Sequence, residues 1–403
     1  MSDTEQRNAP HLNTLILLTA MSVLSLNMFL PSLAAIADEF GVDYGVANLS
    51  MGGFLVVTAV LQVIIGPLSD RYGRRPVVLA GMVVFTIGSI WCFWAQDIGG
   101  FLSGRMLQAA GVVGIALSRA VVRDMHGPKE AASMLGYISM VMAIAPMTGP
   151  TIGGFLHEAF GWRSNFAVCA LIGFGLLWLT WRDLGETNTN RAATMGEQFA
   201  TYPELLKSRR FWGYALCSSL SVGAFYIYIT GIVLIGVSVF GLRPTTVGMA
   251  VGAIAVGFSL GSFLSGRLAK RLPLWQLMIG GRVVGLVGLV IGFVIVLAGF
   301  VHPVTYVGAV IFVGMGNGLT LPSTNSGAMS VRPKLAGSAS GLSGAMSVAM
   351  GAALTSLTGA VLTPDNGAVL MMAMMGGVVT ASLLCAAYVR WLDVVEPLVE
   401  EAG

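Results

Sequence analysis

Three arginines fall inside long apolar runs: Arg105, Arg119 and Arg282. A charged side chain at bilayer depth costs at least ~2.5 kcal/mol on insertion scales, so each is a candidate for function. A guanidinium offers a planar fork of donors suited to carboxylates, phosphates and other strongly polar groups. Arg105 and Arg119 are fourteen residues apart, close to whole helical turns, and share a face with Gln108, Val112 and Ile115. For Arg105 the rival to ligand contact is snorkelling to the interface. For Arg119, snorkelling or pairing with a loop acid stands level with ligand contact.

These cations have no acid beside them in the sequence. All 19 Asp and Glu residues lie in loops or at the ends of apolar runs, as do His11, His126, His157 and His302. Cys92, Cys169, Cys217 and Cys385 sit in apolar runs without metal-ligand spacing. There is no Ser/His/Asp set, no His/Cys cluster and no phosphate-cradling glycine loop. No catalysis, cofactor or metal is therefore expected. Other polar residues at depth are Asn27 and the face of Ser219, Tyr226 and Thr230. A further group, Asn317, Thr320, Ser323, Thr324 and Asn325, surrounds Pro322. A single buried Ser or Thr usually bonds back to its own helix, whereas the amide of Asn27 and the phenol of Tyr226 need partners. Met28, Met140, Met142 and Met147 could form an adaptable pocket wall.

The elements that position these residues follow from composition. Of 403 residues, 55% are hydrophobic and 10% charged, against roughly 25% charged in soluble globular domains. The mean hydropathy is +0.81. An ordinary soluble enzyme is excluded, and a net charge of +3 gives no argument for nucleic acid. Runs of about 20 apolar residues occur at 13–37, 47–67, 77–96, 100–122, 131–156 and 164–181, then at 211–240, 246–265, 274–300, 303–325, 336–361 and 367–390. These are numbered spans 1 to 12. Span 1 is too long for a signal-peptide core and ends without a small-residue cleavage site, so it is expected to be retained.

The spans make two sets of six, which predicts an all-α polytopic membrane protein with twelve transmembrane helices in two pseudo-symmetric bundles. The domains expected are 1–181, a cytoplasmic linker at 182–210, and 211–403 with a cytoplasmic tail. The halves repeat: Ser69-Asp70-Arg71-Tyr72-Gly73-Arg74-Arg75 after span 2 matches Ser265-Gly266-Arg267-Leu268-Ala269-Lys270-Arg271 after span 8, at an offset of 196. Placing both termini in the cytoplasm puts 17 Lys and Arg on that side and two, Arg163 and Arg243, on the other. The location expected is a bacterial inner membrane. Parallel halves of six spans are the arrangement of a carrier that rocks two bundles about a midplane site.

The string from Gly66 to Pro76, containing Asp70, Arg71, Gly73, Arg74 and Arg75, resembles the signature of the major facilitator superfamily. Gly73 permits a tight turn, Asp70 can accept N–H bonds at a helix N-terminus, and the arginines can pair with acids at other helix ends. The resemblance implies a conformational latch, with Asp124 as partner of the loop arginines. The stretch Phe101 to Gly111 is similar to the family's span-4 arginine motif. Pro146 to Gly154 is similar to the span-5 motif of exporters, implying a gating helix built on Gly149, Pro150, Gly153 and Gly154. With Phe29-Leu30-Pro31-Ser32-Leu33 and the segment 327–342, nearly the whole chain resembles the bicyclomycin/chloramphenicol-resistance branch of drug exporters.

That resemblance implies that spans 1, 4, 7 and 10 line the substrate cavity, with Asn27, Met28, Arg105, Gln108, Arg119, Tyr226, Thr230, Asn317 and Thr320 as substrate-binding residues. It places span 9 outside the cavity, so Arg282 is read as packing. One residue departs from the branch. An aspartate usually precedes the Met-aromatic-Leu-Pro of span 1, and here that position is Asn27. An amide cannot titrate, so the usual carboxylate for proton coupling is missing. The function expected is export of small amphipathic drugs or metabolites by alternating access, as a monomer in the lipid bilayer, with protons as an open question. Two rivals stay open: a facilitative or exchange permease for an organic anion, and a membrane receptor. A gradient must supply the energy, because 182–210 is too short for a nucleotide-binding domain.

Overall fold

The computed structural model describes residues 10–126, 134, 138, 145, 148–188, 202–269, 271–332 and 335–396. Among them are eleven helices long and apolar enough to cross a membrane. Span 2 is Tyr44–Tyr72, span 3 Arg74–Trp94 and span 6 Arg163–Asp183. Span 7 is Arg209–Ser238, span 8 Pro244–Leu268, span 9 Leu274–Leu297, span 10 Pro303–Ser330, span 11 Ala336–Val361 and span 12 Gly367–Val395. Most of the predicted span 5, with Met140, Met142, Pro146 and Met147, lies outside the described residues, as does 189–201 of the predicted linker. Its later part, 148–160, is helical.

Spans 1 and 4 are long enough to cross but are not continuous α-helices. Span 1 runs as Leu12–Asn27, a 3-10 turn at Leu30–Ser32, and Leu33–Phe40. Pro31 has no N–H to give the helix, which ends the first segment ahead of it. Span 4 runs as Ile98–Gln108, a 3-10 turn at Ala109–Val112, and Val113–Met125. A 3-10 turn inside a helix frees backbone groups that need other partners. Ser22 supplies one, donating to Gly111 O at 2.5 Å, while Thr19 donates to Gly114 O at 3.3 Å and Ser118 to Leu15 O at 3.1 Å. These hydroxyls lace spans 1 and 4 together.

By contact density the chain forms two compact units. The first comprises Met1–Gln198 with Ile229–Gly252 and Thr355–Val361; the second comprises Phe199–Tyr228, Ala253–Leu354 and Leu362–Gly403. Parts of spans 7, 8 and 11 thus pack within the first unit. Its core is built on Leu15, Leu18, Met82, Phe85, Leu117 and Leu176, and that of the second on Phe211, Tyr214, Met278 and Val389. Large apolar side chains such as Trp94, Phe160, Leu171, Phe263 and Leu384 are exposed. On a membrane protein such a surface is the one lipid covers.

The start of span 1 is fastened to the end of span 6 in the first unit, and the start of span 7 to the end of span 12 in the second. In the first, Asp183 accepts from His11 N at 2.9 Å and from Thr14 Oγ1 at 2.5 Å, and lies 2.5 Å from His11 Nδ1. In the second, Arg210 pairs with Asp393 and donates to Leu392 O and Glu396 O. Acceptors and donors at helix ends satisfy groups that the helix itself leaves unpaired.

Candidate functional site

Arg105 lies one turn before the break in span 4 and is wholly buried. Its Nε donates to Ser50 O at 3.3 Å and its NH1 to Ser25 O at 3.2 Å, with Gln108 Oε1 as a third acceptor. Gln108, three residues on, is fixed in turn by donating to Ser89 Oγ at 2.8 Å. Among the described residues no carboxylate pairs with the guanidinium. It is covered instead by ring faces, with Phe29 at 4.2 Å, Phe54 at 4.5 Å and Phe166 at 5.9 Å from its central carbon. Desolvated cation–π contacts are worth about 2 kcal/mol each, so an aromatic cage from spans 1, 2 and 6 stands where a counter-ion would be expected. Arg105 NH2 keeps no partner. A buried cation with an open donor can accept an anionic or carbonyl group, or anchor the broken spans around it.

Asn27 closes the first segment of span 1 and is buried. Its Nδ2 donates to Val23 O of its own helix at 2.9 Å, leaving Oδ1 without a partner. Gly149 and Gly153 of span 5 lie beside it. A Cβ on Gly149 would stand 3.6 Å from Asn27 Cβ, and one on Gly153 would overlap Met28 O at 1.6 Å. Asn27, Met28, Gly149 and Gly153 are therefore brought together, Gly154 faces Pro244 O instead, and Arg105 and Gln108 form a separate network. Arg119 is half-buried on the last segment of span 4.

Span 7 divides at 228/229 between the units. Tyr226 packs edge-on to Phe225 at 5.4 Å in the second unit. Thr230, in the first, has an unpartnered hydroxyl, and its carbonyl accepts from Tyr44 OH at 2.9 Å. Asn317 and Thr320 are both held by Arg282, through NH2 to Asn317 Oδ1 at 2.8 Å and Nε to Thr320 Oγ1 at 3.0 Å. Asn317 continues to Ser221 O at 3.1 Å. The sequence reading of Arg282 as packing thus missed its partners. Residues of spans 9 and 10 are 35 and 38 apart in the chain, and no local periodicity pairs them. Arg282 is as fully buried as Arg105 and also keeps one open donor, NH1.

The loop after span 2 is organised by Arg74. Its NH1 is 2.6 Å from Asp70 Oδ1, its Nε is 2.9 Å from Asp124 Oδ2, and Ser69 Oγ is a further partner. Gly66 O accepts from Ser69 Oγ at 2.8 Å. The turn needs Gly73, whose φ of +100° favours glycine. Asp70 pairs with Arg74 instead of capping a helix. The cap belongs to Glu186, which accepts from Arg74 N at 2.8 Å at the start of span 3, and Asn188 donates to Asp70 O at 2.9 Å. The sequence reading missed Glu186 and Asn188, since only the fold brings the start of the linker onto this loop. Arg71 lies over the Tyr72 ring and Arg75 donates to Trp181 O at 2.8 Å, so neither joins Arg74's network.

Residues 15–356 match the Major Facilitator Superfamily. Multidrug resistance protein D of Escherichia coli is 28% identical over 377 residues, covering 92% of this chain and 94% of that protein. The bicyclomycin resistance protein homolog of Haemophilus influenzae is 25% identical over 379 residues, with the same coverage. A chloramphenicol resistance protein of Pseudomonas aeruginosa is 29% identical over 252 residues, 61% of this chain and 57% of its own. Among solved structures, the peptide transporter POT superposes with a TM-score of 0.75 at 16% identity, covering 98% of this chain and 99% of its own. A bacterial homolog of the human lysosomal transporter Spinster, inward-facing and occupied, gives 0.74 at 18% identity, covering 97% and 98%.

Proposed function

The chain belongs to the Major Facilitator Superfamily, a family of transporters and not of enzymes, and from that premise we propose that it exports small amphipathic drugs or metabolites by alternating access. It is a multi-pass membrane protein with drug-resistance relatives. The observation that carries the proposal is the pairing of two features in one half. A charge network on Arg74 fastens the loop between spans 2 and 3, and a buried cationic site sits at the breaks of spans 1 and 4. Broken helices around a buried polar site are where a carrier changes shape and binds. In this reading spans 1–6 and 7–12 are the moving halves, joined by 182–210. Asn27, Met28, Arg105, Gln108, Arg119, Tyr226, Thr230, Asn317 and Thr320 face the substrate path, and span 5 with Gly149, Pro150, Gly153 and Gly154 gates it. The protein works as a monomer in the bacterial inner membrane with both termini in the cytoplasm.

Expression in a bacterium stripped of its own pumps tests this. Raised resistance to phenicols, bicyclic antibiotics, sulfonamides or cationic dyes is expected, and unchanged resistance and accumulation for all four classes would end the drug-export reading.

A second reading rests on the two fully buried arginines, Arg105 and Arg282, in a structure with no buried carboxylate among the described residues. An exchanger or facilitator for an organic anion would need such a site. It also fits Asn27, whose amide cannot carry a proton between facing states. In proteoliposomes, counterflow is expected to survive without a pH gradient, and Asn27→Asp is expected to add dependence on one. Uphill transport under a proton gradient, equal in wild type and Asn27→Asp, would place the proton carrier elsewhere.

A further inference from the structure

Arg282 is wholly buried about two turns into span 9, within the second unit. Both of its partners are neutral: Thr320 Oγ1 accepts from Nε at 3.0 Å and Asn317 Oδ1 from NH2 at 2.8 Å. The acids of this unit among the described residues are Glu204, Asp365, Asp393 and Glu396, in loops or near helix ends. Glu204 is paired with Arg332 and Asp393 with Arg210. Three ring faces cover Arg105, and among the described residues none covers Arg282. Its charge is therefore the less compensated of the two.

The unmet donors of the second unit gather at the same point. Arg282 NH1 is buried without a partner. Asn317 Nδ2 carries two hydrogens, and Ser221 O takes one of them at 3.1 Å. Beyond Asn317 the network is satisfied, since Ser221 Oγ and Ser382 Oγ both donate to Cys217 O, at 2.6 and 2.9 Å. Thr320 Oγ1 likewise donates to Met278 O at 3.3 Å. Gly285 stands one turn after Arg282 on span 9, where an added Cβ would meet nothing closer than Val313 Cα at 3.6 Å, so no side chain crowds that side. Water could take the free hydrogens but would leave a bare charge in the bilayer core, where cations are paired. A small anion answers both the hydrogens and the charge.

We propose that Arg282 NH1, with Asn317 Nδ2 beside it, binds one small monovalent anion of the halide class. One guanidinium calls for one negative charge, and full burial leaves no place for a bulky organic acid. The ion is a resident of the second unit and not cargo. Held by Arg282, it fixes the side chains of Asn317 and Thr320 and leaves Arg105 as the buried arginine open to a carried group. The site serves whatever compound the carrier moves.

The test is the melting temperature of full-length protein in detergent, with sodium chloride exchanged for sodium gluconate at constant ionic strength. An ion that binds the folded state alone raises the melting temperature saturably, here by about 2–4 °C, and bromide should do the same while sulfate does not. Arg282→Gln should abolish the chloride response. Asn317→Asp is the second variant, and serves if Arg282→Gln does not fold. It sets a carboxylate against the guanidinium in place of the ion, at the cost of the bond to Ser221 O, and should abolish the response too. Arg105→Lys should keep it. Equal melting of the wild type in chloride and gluconate would overturn the proposal, as would a response that survives in Arg282→Gln or Asn317→Asp, or one that is lost in Arg105→Lys. Ethidium and chloramphenicol accumulation by the wild type is measured separately. If neither compound is exported while chloride acts through Arg282, the drug-export reading falls and the anion site stands.

Discussion

Arg105 and Arg282 are both fully buried, both lack a carboxylate partner among the described residues and both keep one unpartnered guanidinium nitrogen, yet the two units hold them by different means. Arg105 is bound by backbone carbonyls of spans 1 and 2, one glutamine and three phenylalanine faces, beside the breaks in spans 1 and 4. Arg282 is bound by side chains of an unbroken span 10. A carbonyl cannot change its rotamer, so any shift of spans 1 or 2 moves the ligands of Arg105 directly. Asn317 and Thr320 can turn within their helix and absorb a shift. The first unit thus ties its charge to backbone movement, and the second ties its charge to local side-chain order.

The largest effect expected from this contrast is at Arg105. Arg105→Ala leaves Gln108 Oε1 and two carbonyls without their cation and opens a cavity between aromatic rings. The loss is about 3–5 kcal/mol, by analogy with breaking a buried charged contact or emptying a core site. Transport should be abolished along with a large fall in melting temperature. Arg105→Lys retains a charge over the rings but not the planar fork, and should recover part of the stability and little transport. Wild-type transport by Arg105→Ala would show that the cage is packing alone.

Arg282→Gln comes next. A neutral amide can still reach one of Asn317 and Thr320, so the cost is about 1–3 kcal/mol, with transport reduced and not lost. Thermal melts of the two variants side by side decide the matter. If Arg282→Gln costs as much as Arg105→Ala, the distinction between carbonyl-held and side-chain-held arginines has no energetic meaning.

The first unit also has a charge network at its loop, which the described residues of the second copy do not repeat; Gly266 stands where the first has Asp70. Arg74 is buried and Asp70 half-buried, and Asp124 and Ser69 still hold the guanidinium when Asp70 loses its charge. Asp70→Asn should therefore slow transport several-fold while equilibrium binding of a substrate barely changes. Glu186→Gln keeps an acceptor for Arg74 N and should slow it less. A fall in binding as steep as the fall in rate would move Asp70 from the latch into the substrate site.

How much of this was legible in the sequence depended on how local each feature is. Apolar runs give the spans because bilayer thickness sets their length, and Arg105 with Gln108 could be paired because i and i+3 share a face. The runs 13–37 and 100–122 each read as one span, because neither Pro31 nor Gly111 interrupts the hydropathy, and the breaks at Leu30–Ser32 and Ala109–Val112 emerge only in the structure. The cage needed Phe29, Phe54 and Phe166 from three helices, the Arg282 network needed spans 9 and 10 side by side, and the Glu186 cap needed the linker folded back. Each of these depends on tertiary contacts between spans that hydropathy treats independently.

The smallest effect sharpens the comparison at the helix ends. Span 1 is tied to span 6, and span 7 to span 12, through an aspartate, Asp183 or Asp393, but the cation is His11 in one and Arg210 in the other. Only the first tie can titrate near neutrality. The hydrogen bond to Asp183, reinforced by its charge, raises the His11 pKa above the ordinary histidine value. A group whose pKa is raised on folding stabilises the fold below its unfolded pKa and loses that contribution as pH rises through the folded one. Since His11 is exposed, solvent screens the effect, and the expected change is a slight fall in melting temperature as pH rises from 6 to 8. His11→Ala should flatten that slope, whereas Arg210→Lys, which keeps a cation that does not titrate in this window, should leave it as it is. A slope that persists in His11→Ala would place the titrating group elsewhere, with His126, His157 and His302 the next to substitute. A slope that vanishes in Arg210→Lys would mean that the two ties are coupled and cannot be compared as independent fastenings.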